Sequence, residues 1–152
     1  MAKGKSCWSP GKIVLAAIVY LVIAQVIHII STVATMDYYF MPQYFPVWSK
    51  LMMPTAGPPP ASFYYYSIAF SFIAGIMFSA AYYVLKQGIP GKHYIQKGLN
   101  YGLLVFAVAG IPFALTNFLL INLPTLLVLT WAFLDGLVAY VLAGVAVARV
   151  LE

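Results

Sequence analysis

Residues 13–35 read IVLAAIVYLVIAQVIHIISTVAT, and residues 36–60 continue MDYYFMPQYFPVWSKLMMPTAGPPP. The first segment holds no Asp, Glu, Lys or Arg and exceeds the roughly 20 apolar residues a helix needs to cross a hydrocarbon core. Gln25, His28, Thr32 and Thr35 recur within it at spacings of three, four and three. That spacing places all four on one side of an otherwise aliphatic helix. The second segment is too rich in Tyr, Phe, Trp and Met for a plain solvated linker.

Three further apolar segments follow, at about 63–85, 99–120 and 125–148. The reading is an all-α membrane protein in which residues 1–152 form a single four-helix transmembrane domain. The helices are expected in an antiparallel bundle, with the aromatic and proline-rich loop between the first two. Composition agrees: 64% of residues are hydrophobic and only 7% charged, against roughly 25% charged in soluble domains. The +5 net charge does not point to nucleic acid, because no basic run with interleaved polar residues is present to follow phosphates. Lys3, Lys5 and Lys12 before an apolar stretch resemble a signal peptide, but the apolar run continues past Val33 without a small-x-small cleavage site. An uncleaved first span is expected. Cys7 is the single cysteine, which excludes an internal disulfide and leaves a plain small residue or a palmitoylation site.

Charge sets an orientation. Lys3, Lys5, Lys12, Lys86, Lys92, Lys97 and Arg149 fall on one side of alternating spans and Lys50 on the other. The positive-inside rule then places both termini in the cytoplasm of a multi-pass protein of the plasma or inner membrane, with the aromatic loop outside. The short connection INLP at 121–124 and the turn KQGIPGKHYIQK at 86–97 predict that spans two to four are sequential neighbours. Ser67, Ser71, Gly75 and Ser79 form a small-residue ridge on span two, and Gly136 and Gly144 a looser one on span four. Both permit close helix packing, within the bundle or between copies. Pro112 is expected to distort span three, where Gly98, Gly102 and Gly110 also lie. Differing loops and polar residues in the two halves do not support an inverted repeat.

Asp135 is the intramembrane acid. A charged Asp at the centre of a span costs on the order of 3 kcal/mol, so it needs a partner, a proton or an interior position. His28 is the partner expected, with Gln25 as a second hydrogen-bonding group; together the three form an intramembrane polar site. The site is read either as proton-titratable or as glue between helices. His28 and His93 lie on opposite sides of the membrane in this topology, so no shared metal or haem is expected. No phosphate loop or nucleophile triad is recognisable, so no catalytic residue is assigned and cofactors stay open. Pro46 is expected to begin a short helix, PVWSKLMM, ended by Pro54. The loop is read as an interfacial belt or as a lid over a cavity lined by Tyr38, Tyr39, Tyr44, Tyr64 and Tyr65, with Asp37 at the mouth and Trp48 a ligand candidate.

The strings H28…YYF…PVW and GLNYGLLVFAVAGIPFALTNFLLINLP (98–124) resemble small four-span bacterial and archaeal membrane proteins of unknown function, which implies a fold and no activity. The segment from Trp48 through Leu51, Pro54, Pro58 and Pro59 to Phe63 is similar to the first loop of the tryptophan-rich sensory (translocator) proteins. That resemblance implies binding of porphyrins or sterols; those proteins have five spans, and their Trp-rich third-span pattern is missing here. Membrane-bound glutathione-transferring enzymes share the size and basic charge, but their internal Arg, Asn and Glu have no counterparts. The functional expectation is an oligomeric transporter or channel-like protein, and an enzyme is the less favoured class. The alternatives are a non-catalytic assembly subunit of a larger membrane complex and an apolar-ligand binder or sensor. The partners expected are the lipid bilayer and further copies of the chain or a larger membrane complex.

Overall fold

The computed structural model describes residues 9–55 and 57–152; the readings placed on Lys3, Lys5 and Cys7 lie outside them. Four long helices account for the architecture, α1 (Pro10–Ala34), α2 (Ala61–Leu85), α3 (Tyr94–Leu120) and α4 (Thr125–Leu151), each long and apolar enough to cross a membrane. Proline marks three of the four starts. Pro10 occupies the first turn of α1, and Pro60 and Pro124 immediately precede α2 and α4, positions where a missing N–H costs nothing. The third helix begins five residues earlier than the sequence reading, with His93 at its N-cap. Among the described residues there is no strand.

The packing order is α2–α1–α4–α3, with α1 and α4 in the centre. Pairings run antiparallel. Gln25 meets Ser71 and Ala17 meets Gly75, while Gly98 meets Gly144 and Gly102 meets Tyr140. Expected neighbours α2 and α3 diverge instead. They touch only near the chain-terminal end, where Phe78 and Tyr82 pack edge-on against Tyr101 and the Tyr101 hydroxyl donates to the Phe78 carbonyl at 2.7 Å. The reason is steric. Gly98 and Gly102 let α3 lie backbone-to-backbone on α4, since a Cβ on Gly102 would stand 2.5 Å from the Tyr140 carbonyl oxygen. Gly75 gives α2 the same closeness to α1, where a Cβ would be 2.7 Å from the Ala17 carbonyl oxygen. Each outer helix is thereby drawn to a central one rather than to the other.

The main cluster of buried residues lies at the end of the molecule that holds the C-terminus. Ile13, Ala16, Phe78, Tyr82, Tyr101, Val147 and Leu151 are buried there. A polar lock closes it: Tyr82 donates to Glu152 at 3.0 Å, Lys97 pairs with Glu152 at 3.1 Å, and Lys86 donates to the Leu151 carbonyl at 2.8 Å. The opposite end is looser and carries the 36–60 connection. That connection starts with a helical turn at Met36–Tyr39 and a 3₁₀ helix at Pro42–Val47. The short helix expected from Pro46 is not formed. Pro46 lies inside the 3₁₀ helix, Trp48 is extended, and Ser49 caps a turn by accepting from the Met52 N–H at 3.1 Å.

Two widened π-helical turns face each other in this half, Phe106–Gly110 in α3 and Ala132–Val138 in α4. The first precedes Pro112, whose ring crowds the carbonyl four residues back in a regular helix, so the expected distortion takes this form. The second contains Asp135 and has no proline to announce it. Gly110 and Gly136 both sit against the Phe106 ring, which fills the space between the two turns.

Candidate functional site

His28 lies three residues after Gln25, less than one turn along α1, and about 9 Å from the end of that helix at the helical rise per residue. Its Nδ1–H donates to Asp135 Oδ1 at 2.9 Å across the α1–α4 contact. The two side chains are partly accessible, 46% for His28 and 28% for Asp135. The accessible space is cavity and not the packed core. Asp135 Oδ2 is covered and has no hydrogen-bond partner. A carboxylate left half satisfied is a costly way to hold two helices together.

Gln25 does not join this pair. Its amide donates instead to Ser71 Oγ at 2.8 Å and Ser67 Oγ at 3.2 Å. Two members of the small-residue ridge therefore bind α1 by hydrogen bonds as well as by closeness. Ser79 is fully buried at the other end of that ridge. Thr35 is buried with its hydroxyl turned back on the Ser31 carbonyl at 2.8 Å, and Thr32 lines a cavity.

Three cavities surround His28. The first, about 320 Å³, lies between the outer half of α1, the 36–60 connection and the first turns of α2, and Gln25, Thr32, Met53, Phe63 and Tyr64 are on its wall. The second, about 330 Å³, occupies the gap between α2 and α3, with Trp48, Phe113, Trp131, Asp135 and Tyr140 on its wall. The third, about 220 Å³, runs between α1, α2 and α4 past Tyr20, Gln25, Ser71 and Asp135. His28 belongs to all three. No Lys or Arg lines any of them.

Residues of the connection form part of the wall of this space, though others than the sequence suggested. Tyr39 is buried, stacks on Trp48 at 4.9 Å, and Trp48 meets Trp131 edge-on at 6.2 Å. Burial pushes the Tyr39 hydroxyl up from its ordinary value, so it stays a neutral hydrogen-bonding group. Of the tyrosines expected on the wall, Tyr39 and Tyr64 are there, whereas Tyr38, Tyr44 and Tyr65 are not, and Tyr65 is 74% exposed. Asp37 is exposed beyond the end of α1.

Sequence reasoning missed Trp131, Phe113 and Tyr140. A signal existed for Trp131, four residues before Asp135 on the same helix face. Tyr140 lies five residues after Asp135, just past the π-helical turn, and lines the same two cavities. Among the described residues no group of His, Cys, Asp and Glu is placed to hold a metal ion. No protein-family model, no curated protein and no solved structure matches the chain.

Proposed function

We propose that this is a small proton-linked transporter or channel-like protein of the plasma or inner membrane, with both termini cytoplasmic. The observation that carries the reading is the His28–Asp135 contact on the wall of all three cavities. With Nδ1–H committed to Asp135, Nε2 is the ring nitrogen open to the cavity. A proton arriving at Nε2 converts a neutral imidazole beside a carboxylate into an imidazolium–carboxylate pair, and its departure restores the first state. The other titratable groups on cavity walls shared with the pair are Tyr20, Tyr39, Tyr64 and Tyr140, with no basic side chain there to compete for the carboxylate.

The orientation is supported by charge: Lys12, Lys86, Lys92, Lys97 and Arg149 gather at the packed end and Lys50 at the cavity end. The cavities then face outward. The paired π turns supply the element that could change packing when the pair gains a proton. The site is complete in one chain, and side-by-side assembly of copies is part of the proposal. An assembly subunit has less support, because the glycines that could dock a partner are occupied within the chain.

Proteoliposomes loaded with a pH-sensitive dye test the reading. Acidifying the outside should acidify the lumen faster with wild type than with protein-free vesicles. Asp135→Asn should remove most of the difference, and Glu152→Gln should keep it. A wild-type rate equal to that of protein-free vesicles would contradict the proposal.

A further inference from the structure

We propose that the cavity end binds a neutral, flat, oxygen-bearing lipophile of the quinone or phenol type, which arrives from the bilayer between α1 and α2. Its polar end is hydrogen-bonded by His28 Nε2. The inference rests on the reading of His28–Asp135 as a working site and adds what that site holds.

Access comes first. Ile29, Val33, Phe40 and Tyr64 line the first cavity and are each more than half exposed, so they form its rim. On a membrane-spanning helix that rim meets lipid rather than water. The first two cavities share His28, Tyr39, Met52 and Phe63, which makes them adjacent chambers with His28 between them. Met52 and Met53 in the connection are flexible side chains that adapt to an irregular apolar ligand.

Charge selects against ions. No Lys or Arg lines the cavities, so a fatty-acid carboxylate would enter without a cation to meet it. An ammonium fares no better, because Asp135 Oδ1 is taken by His28 and Oδ2 is covered. A charge buried without a partner is strongly disfavoured, so the ligand is neutral.

Shape and hydrogen bonding select the head. The stacked Tyr39 and Trp48 and the edge-on Trp131 stand beside His28, and aromatic walls favour a flat conjugated group through stacked or edge contacts. Asp135 holds the imidazole ring in one orientation through Nδ1 and thereby aims Nε2. Neutral imidazole accepts there from a phenol O–H; imidazolium donates there to a quinone carbonyl. One nitrogen serves both forms of the same ligand class.

The probe is a benzoquinone carrying a ten-carbon alkyl tail, titrated into full-length protein in nanodiscs while tryptophan fluorescence is read. Saturable quenching is expected, with most of its amplitude lost when Trp48→Phe and Trp131→Phe are combined, since both rings line the same cavity. Affinity should fall at least tenfold in His28→Ala and stay unchanged in Glu152→Gln. Val33→Trp narrows the rim at a position 63% exposed, so folding is spared, and it should weaken binding several-fold even if His28→Ala does not fold. The same tail on a plain benzene ring should not saturate. Linear quenching without saturation, equal affinity for the plain alkylbenzene, or indifference to both His28→Ala and Val33→Trp would overturn the inference. Binding is read without a pH gradient, so the two proposals separate. Saturable binding without proton flux removes the transport reading and leaves this one; flux without saturable binding does the reverse.

Discussion

At the residue scale the structure turns on where each polar side chain of α1 finds its partner. His28 goes to α4 and Gln25 to α2, so one helix face ties the central helix to both neighbours. The His28–Asp135 contact is legible in the sequence, because an intramembrane acid requires a partner and the chain offers one histidine within a span. Gln25 is not legible in the same way. Ser67 and Ser71 read as small packing residues, and nothing in their spacing shows that their hydroxyls accept from another helix. The two interactions should respond differently to mutation. Gln25→Leu should lower stability in detergent by about 0.5–2 kcal/mol, the range of interhelical hydrogen bonds in membranes, and leave proton flux intact. A double-mutant cycle between His28→Ala and Asp135→Asn, read by thermal unfolding, should return a coupling of about 1 kcal/mol; additive effects would mean the contact carries no energy.

At the element scale the helices follow from the sequence because length and apolar content agree, with prolines at three of the four starts; the start of α3, which has none, falls five residues earlier than read. The π turns do not follow from it. A shift from i→i+4 to i→i+5 changes no periodicity that a short segment could display, and only Pro112 hints at one of the two. The same holds for pairing, because a glycine ridge announces a close approach but not its partner. Gly98 and Gly144 meet so closely that a side chain on either collides with the other's backbone. Gly98→Leu should therefore destabilise by about 1–3 kcal/mol or prevent folding, as overpacking does. Gly11→Ala, with no neighbour within 4 Å of the added methyl, should be close to neutral. Circular dichroism melts in one detergent compare the two directly. Asp135 sits inside the π turn of α4, an arrangement that recurs at functional sites.

At the scale of the whole molecule, the chain is packed at one end and open at the other. Charge alternation along the sequence foreshadows the grouping of chain-terminal and loop cations, whereas the order α2–α1–α4–α3 was hidden. Short connections suggested that α2 and α3 are neighbours, but two glycine contacts draw them to opposite central helices. The gap left between them becomes the second cavity. Topology is measurable: Ser49→Cys in a Cys7→Ser background should react with a membrane-impermeant maleimide added to intact cells. A cysteine at Gly88 in the same background should react only after permeabilisation. The reverse pattern would invert the proposed orientation and turn the cavities to the cytoplasm.

The central claim is that His28 and Asp135 act as one titrating pair inside the bundle. Thermal unfolding of wild type and Asp135→Asn in the same detergent, from pH 5 to pH 8, tests it most directly. For a chain of this size about 1 kcal/mol corresponds to about 2–4 °C in Tm. The account predicts that the difference between the two melting temperatures changes by at least that much across the range. A constant difference, or superimposed curves, would contradict it and leave the pair as a fixed link between two helices.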